Sequence, residues 1–96
     1  MDINLADIES FEWDAGNRPK VEKRVPISVV ESAFLGQPLI SYDDTHSKIE
    51  QRWFLMNQVE KRHVFLIFTV RHKKIRIISA RYMHKKEVNK YGKKIS

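Results

Sequence analysis

Alternating and helical patterns of apolar residues divide the chain into short elements. Polar and aromatic residues alternate over residues 10–13, which predicts a half-buried strand. The polar stretch 18–24 carries a proline suited to a first helical turn and predicts a short helix. A second helix is predicted to begin at Ser28 as its N-cap, with Glu31 completing a capping box, and to end at Gly36. One strand is therefore followed by two helices.

The second half of the chain consists mainly of strand-length segments. Leu39–Tyr42 is predicted to be extended, and a polar loop follows at residues 43–48. Three further strands, at 50–58, 62–70 and 74–81, are predicted to form an antiparallel meander with short turns. The middle strand is apolar at every position from 64 to 68, as expected for a central strand that is covered on both faces.

A basic amphipathic helix is predicted at the end of the chain, over residues 83–95. Val88, Tyr91 and Ile95 form its apolar stripe, and lysines occupy much of the remaining surface. Residues 61–96 hold twelve basic residues and one acidic residue, a net charge of +11, whereas residues 1–60 carry −5. Such concentrated charge indicates a polyanionic partner, either nucleic acid or a strongly acidic protein. The alternative is a solvated basic face without a ligand.

Composition narrows the possible chemistry. A chain of 96 residues predicts a single domain over residues 1–96. Without cysteine it has no disulfide, thiolate zinc site or thiol nucleophile. His63 and His72 lie nine residues apart without a carboxylate or thiolate at ligand spacing, and no glycine-rich phosphate loop is present, so neither a metal nor a cofactor is predicted. The longest apolar run is five residues, and no signal-peptide pattern occurs, so we expect a cytoplasmic protein.

Fragments spread over residues 11–91 carry a family resemblance. They are Phe11-Glu12-Trp13-Asp14, Ser28, Glu31, Ala33, Asp43, His46-Ser47, Glu50, Arg52, Phe68-Thr69, Arg71, Arg76-Ile77-Ile78-Ser79-Ala80-Arg81, Glu87 and Tyr91. In this order and spacing, the chain resembles the RelE-type toxin ribonucleases and, within that group, the BrnT family. The resemblance implies an α+β, RelE-like fold, with a small antiparallel sheet, two N-terminal helices and a basic C-terminal helix.

Two positions depart from the family pattern. Where the family usually has Lys-His-Gly between its two helices, this chain has Arg24-Val25-Pro26, so any role of that histidine is absent. Asn57 stands where the family often has glycine at a strand end, and asparagine tolerates the left-handed turn expected there.

The resemblance implies the toxin of a type II toxin–antitoxin system, a metal-independent endoribonuclease that inhibits translation and growth. In such cleavage the 2′-hydroxyl attacks the neighbouring phosphorus and the 5′-oxygen leaves. A base, a stabiliser of phosphoryl charge and an acid are needed. Arg52, Arg71 and Arg81 match the family's arginines on three successive strands, and guanidinium groups suit phosphate geometry. Structural ion pairing, or contact with an acidic partner, is the alternative for each of them.

Strand phase predicts where these arginines lie. Arg71 lies an even number of residues after Ile67, and Arg81 an even number after Ile77. In an unbroken strand each arginine therefore shares a face with that isoleucine. Each is expected to extend a mostly apolar row just past its end. If Arg71 and Arg81 fall on the same face of neighbouring strands, they form one anion pocket. We expect Arg52 to join them around a single phosphodiester.

Other side chains are candidates for proton transfer and RNA contact. His46, Glu50 and His63 are the proton carriers considered, and His46 lies in the loop with the family's Asp-x-x-His-Ser pattern. Tyr91 is a catalytic candidate that stacks on a base or assists proton transfer, although its spacing favours a core position. The candidates for RNA binding are Arg24, Lys73, Lys74, Arg76, Lys85 and Lys86. Arg76 is equally consistent with a solvent-side charge.

The resemblance also implies a cognate BrnA-like antitoxin that covers the basic surface within a toxin–antitoxin heterotetramer. One rival interpretation is a non-catalytic module that binds nucleic acid or antitoxin through the same basic face. Another is a degenerate toxin that only holds an antitoxin, which the missing Lys-His-Gly keeps open.

Overall fold

A five-stranded mixed sheet organises residues 3–94, the part of the chain described by the computed structural model. The elements are β1 (Ser10–Phe11), α1 (Arg18–Glu22), α2 (Ile27–Ser32), β2 (Leu39–Tyr42), β3 (Trp53–Val59), β4 (Arg62–Arg71), β5 (Lys74–Tyr82) and α3 (Lys85–Tyr91). The strand order is β1-β5-β4-β3-β2. The α+β class and the meander of β3, β4 and β5 are confirmed. The purely antiparallel sheet is wrong, because β1 runs parallel to β5.

Tight turns join the three long strands. Glu60 has a left-handed φ of 57° in the β3–β4 turn, and His72 and Lys73 have φ values of 50° and 63° in the β4–β5 turn. Two consecutive left-handed residues are typical of the type I′ hairpin turn, whose twist matches that of the flanking strands. The second turn therefore places Lys73 and Lys74 directly beside the end of β4.

The inner face of the sheet, which packs against α1 and α2, carries the core. Phe68 lies at its centre, stacked on Trp53 with ring centroids 5.9 Å apart and in edge contact with Phe34 at 5.1 Å. Leu55, Leu66 and Ile77 are fully buried on this face; burial of each such side chain is worth roughly 2–3 kcal/mol. On the opposite, outer face of β4, Phe65 and Ile67 are half-buried and Thr69 is buried, so the predicted cover of both faces is found only in part.

A bulge interrupts the pairing of β4 with β5. Ile67 pairs with Ser79 and Phe68 pairs with Ile77, so Ile78 has no partner on β4. A single extra residue of this kind reverses the inward and outward alternation beyond it.

The bulge decides the direction of Arg81. Ile77 and Ala80 are both buried on the inner face, although three positions separate them. Arg81 consequently pairs with Phe65 on the outer face, opposite the inner face on which Ile77 lies. The predicted phase of Arg81 is wrong, because a period of two holds only along an unbroken strand.

The start of α2 also differs from the prediction. Pro26 is its N-cap, and Ser28 lies inside the helix without a capping box. Glu31 instead accepts a hydrogen bond of 2.9 Å from the indole nitrogen of Trp13. This contact ties α2 to the segment that follows β1, and Val25, in the loop between α1 and α2, is fully buried in the core.

Asn57 lies within β3, paired with Val64, and not at a strand end. Its buried amide donates two hydrogen bonds of 2.9 Å, to the carbonyl oxygens of Ala33 and Leu35 just after α2. The expected left-handed turn at Asn57 is therefore wrong. The side chain satisfies helix-end carbonyls, which need partners when they are buried.

The C-terminal helix is shorter than predicted. α3 ends at Tyr91 and continues as a 3-10 turn over Gly92–Lys94, and Ile95 lies outside the described residues. Val88 and Tyr91 are half-buried, as the predicted stripe requires. No helix within residues 3–94 has the length and apolar character needed to span a membrane.

Candidate functional site

A cavity of about 390 Å³ lies where β3 begins and β4 ends. We call it the arginine cavity. Its lining residues are Thr45, His46, Lys48, Ile49, Glu50, Arg52 and Arg71. The cavity thus brings together three of the predicted catalytic residues, His46, Arg52 and Arg71.

The pairing of β3 with β4 places the two arginines next to each other. Trp53 pairs with Phe68 on the inner face. The backbone N–H of Asp43 donates to the carbonyl of Arg52 at 2.8 Å, which continues the β2–β3 ladder by one residue before Trp53. Arg52 and Arg71 therefore both point from the outer face at the same end of the sheet.

Glu50 lies between the two guanidinium groups. Its carboxylate is 2.8 Å from Nη2 of Arg71 and 3.7 Å from Nη2 of Arg52. The Nε of Arg52 is buried and, within the described part of the chain, has no hydrogen-bond partner. A buried donor without an acceptor is costly, so the guanidinium of Arg52 is not fully satisfied by its protein neighbours.

His46 is oriented by a buried carboxylate. Its Nδ1 is 2.9 Å from Oδ2 of Asp43, whose side chain is 3% exposed, whereas the His46 side chain is 64% exposed. When Nδ1 donates to the carboxylate, Nε2 keeps its lone pair and can accept a proton. Asp43 was not among the predicted site residues, although the Asp-x-x-His spacing was a signal for it.

Ser47 ties the loop to the strand. Its hydroxyl donates to the carbonyl of Asp43 and accepts a 3.0 Å hydrogen bond from the backbone N–H of Arg52. The histidine and the arginines are therefore held in one local framework.

Arg81 lies away from the arginine cavity. Its partner Phe65 is six residues from Arg71 along β4, a separation of about 20 Å. Nη1 and Nη2 of Arg81 donate to the carboxylate of Glu87, at 2.7 and 2.9 Å. The prediction that Arg71 and Arg81 form one anion pocket is wrong: they share the outer face, but they lie toward opposite ends of it.

Tyr91 and His63 belong to the Arg81 end of the sheet. Tyr91 follows Glu87 by four residues, which places both on one side of α3. His63 is half-buried near the start of β4. Neither residue lines the arginine cavity.

The predicted RNA-binding residues fall into separate groups. Lys73 and Lys74 are exposed beside Arg71, and Lys85 and Lys86 are exposed at the start of α3, near Arg81. Arg24 lines a smaller cavity of about 230 Å³ between α1 and β5. The first two groups border the outer face, one at each end, and Arg24 lies on the helical side.

Arg76 forms a structural ion pair. Its Nη1 is 2.9 Å from Glu12 and 2.8 Å from Asp14, and its side chain is only 16% exposed. The hydrogen bonds from Arg76 lower the pKa of Asp14 and raise that of the guanidinium itself. Arg76 is therefore not a solvent-side charge, and it joins β5 to the segment after β1.

The Arg81 ion pair is strong enough to move the titration of its carboxylate. Hydrogen bonds from Arg81, followed by one from the backbone N–H of His84, lower the pKa of Glu87 from 4.5 to about 2. The pKa of Arg81 is raised by the same contact. Within residues 3–94, no group of three or more histidine or carboxylate side chains is arranged to hold a metal ion.

The lowered pKa of Glu87 predicts an acid-dependent loss of stability. Because the folded pKa of Glu87 is below its unfolded value, the stabilisation is complete above pH 4.5 and is lost as the pH falls toward 2. In urea unfolding, wild type should be more stable than Glu87→Gln at pH 5, and the difference should shrink at pH 3. A difference that stays constant over this range would contradict the ion pair.

Sequence comparison identifies the family. The profile described as "Ribonuclease toxin, BrnT, of type II toxin-antitoxin system" matches residues 13–87, which include the arginine cavity, Arg81 and Glu87 but not Tyr91. No curated protein and no solved structure matches the chain significantly. Since the matched segment covers most of the sequence, the protein belongs to the BrnT family of ribonuclease toxins of type II toxin–antitoxin systems.

Proposed function

We propose that the protein cleaves RNA internally, without a metal ion, in the arginine cavity. The single observation that carries this proposal is the convergence of Arg52, Arg71 and His46 on one cavity at the edge of the sheet. Two adjacent guanidinium groups bind the phosphoryl oxygens of one phosphodiester, and an exposed imidazole lies beside them. The cavity thus offers two of the three groups that cleavage by a neighbouring hydroxyl needs, a base and a stabiliser of phosphoryl charge.

In the proposed reaction, Nε2 of His46 takes the proton of the 2′-hydroxyl while that oxygen forms a bond to phosphorus. The bond from phosphorus to the 5′-oxygen breaks, and the leaving oxygen takes a proton from solvent. Arg52 and Arg71 stabilise the negative charge that builds up on the non-bridging oxygens. The products are a 2′,3′-cyclic phosphate and a free 5′-hydroxyl, so no water is consumed in this step.

Glu50 occupies the cation pair when RNA is absent. Its carboxylate neutralises part of the charge of Arg52 and Arg71 and holds them in place. A phosphodiester would replace this carboxylate and accept hydrogen bonds from Nη2 of Arg71 and Nη2 of Arg52. Glu50 is thus proposed to preserve the geometry of the site between reactions.

Family membership implies an antitoxin partner and an RNA substrate. We further propose a RelE-like fold, which the element order supports, and a BrnA-like antitoxin that forms a heterotetramer with the toxin. The basic ends of the outer face would attract an acidic antitoxin and speed its capture. Cytoplasmic action and arrest of translation follow from the proposed cleavage of cellular RNA.

Replacing either cavity arginine should abolish most of the activity. With total RNA in EDTA, Arg52→Ala and Arg71→Ala should each cleave about 10²–10³-fold more slowly than wild type, because the developing phosphoryl charge loses a donor. Arg18→Ala is the matched control, since Arg18 lies on α1 and, among residues 3–94, pairs with its helix neighbour Glu22. Cleavage rates and urea unfolding of all variants provide the measurements.

Three results would overturn parts of the proposal. Full activity of Arg71→Ala would move the chemistry elsewhere, and activity that disappears in EDTA would remove metal independence. If wild type binds RNA in EDTA but leaves it intact, the non-catalytic binding module becomes the better account.

The Asp43–His46 pair predicts a distinct kinetic signature. His46→Gln should lower kcat by about 10²-fold or more, because the proposed base is lost. Asp43→Asn should lower kcat with little change in KM, because it disturbs the orientation of the base and not the binding of phosphate. His72→Gln, in the β4–β5 turn, should behave as wild type, and a kcat of His46→Gln equal to that of wild type would exclude His46 as the base.

A further inference from the structure

A row of planar side chains crosses the outer face beside the arginine cavity. Arg81 lies over the ring of Phe65 at 4.7 Å, and that ring is 5.5 Å from the ring of Phe54 in a tilted contact. The row therefore spans β5, β4 and β3. Phe54 and Phe65 are half-buried, although they lie on the face opposite the core.

The row is continuous with the proposed cleavage site. Phe54 follows Arg52 by two residues on the same face of β3, a rise of about 7 Å. Ile67 pairs with Phe54 and lies four residues before Arg71 on β4. A nucleotide whose phosphate is bound by Arg52 and Arg71 therefore has the ring of Phe54 within reach of its base.

The charges that border the row indicate what covers it. Lys73 and Lys74 lie at the cavity end of the outer face, and Lys85 and Lys86 lie at the Arg81 end. A strip of aromatic surface with cations at both ends favours a flexible polyanion that also carries flat apolar groups. Single-stranded RNA has both properties, whereas an acidic peptide lacks a regular supply of flat rings.

We propose that Phe54 and Phe65 form a stacking platform for the unpaired bases of single-stranded RNA next to the scissile phosphate. Arg81 extends the platform, and Glu87 fixes its guanidinium plane over Phe65 through two hydrogen bonds. This inference rests on the proposed cleavage site and names the form of RNA that it accepts. Double-stranded RNA, whose bases are already stacked on each other, would be a poor ligand.

The test measures binding without cleavage. The probe is a fluorescein-labelled, eight-nucleotide RNA whose 2′-hydroxyls are all methylated, so that the nucleophile is blocked. Phe54→Leu and Phe65→Leu should each weaken its binding about tenfold in fluorescence anisotropy, because leucine keeps apolar packing but has no π-face. Phe54→Tyr should restore wild-type affinity, and Ile67→Leu on the same face is the matched control.

Two further readouts separate stacking from a structural effect. Loss of a stacked base should leave the salt dependence of binding unchanged, because no phosphate contact is removed. With abasic RNA, wild type and Phe54→Leu should bind within twofold of each other. The proposal is overturned if Phe54→Leu binds the normal probe as tightly as wild type, or if its defect is equally large on abasic RNA.

The outcome is distinguishable from failure of the cleavage site. If Arg71→Ala lowers cleavage but Phe54→Leu leaves affinity unchanged, the cavity stands and the platform is wrong. If Phe54→Leu weakens binding but Arg71→Ala cleaves normally, RNA uses the platform and the chemistry lies elsewhere. Should either leucine variant unfold, a 2-aminopurine base in the same RNA tests stacking directly. Wild type should quench its fluorescence, whereas free amino acids at the same concentration should not. Absence of quenching by wild type overturns the proposal.

Discussion

The pairing of Trp53 with Phe68 is the constraint on which the proposed site depends. The two rings stack on the inner face at 5.9 Å and are buried beneath the helices, so the register of β3 against β4 is fixed by the core. A slip of one residue would turn every side chain of β3 to the other face. With this register in place, Arg52 and Arg71 emerge together on the outer face. The position of the charged residues is thus a consequence of apolar packing.

Two like charges held this close need compensation. Glu50 supplies it through its carboxylate, and the Asp43–His46 pair is fastened to the same strand through Ser47. In the proposed mechanism the site is therefore formed before RNA arrives, and binding exchanges an internal carboxylate for a phosphodiester. Such preorganisation reduces the reorganisation needed when charge develops in the transition state. The second ion pair, Arg81 with Glu87, has a different role in this account, because it orients a guanidinium over an aromatic ring.

The sequence predicts the strands well and the positions of individual charged residues less well. Apolar runs and turn residues identify the meander because periodicity reports burial directly. The direction of Arg81 was missed because the bulge at Ile78 is decided by contacts between strands, which no single-strand pattern contains. The capping box at Ser28 failed for a related reason, since Glu31 has a more distant partner in Trp13. Family resemblance placed Arg52, Arg71 and His46 among the site residues, but only the fold separates them from Arg81 and Tyr91.

NMR of the arginine side chains in ¹⁵N-labelled protein tests the central claim most directly. On addition of fully 2′-O-methylated RNA, the Nη–H signals of Arg52 and Arg71 should shift and exchange more slowly with solvent, as these donors gain phosphate acceptors. The signals of Arg18 and Arg76 should stay in place, because each keeps its own carboxylate. Binding of RNA with no change at Arg52 and Arg71 would contradict the account.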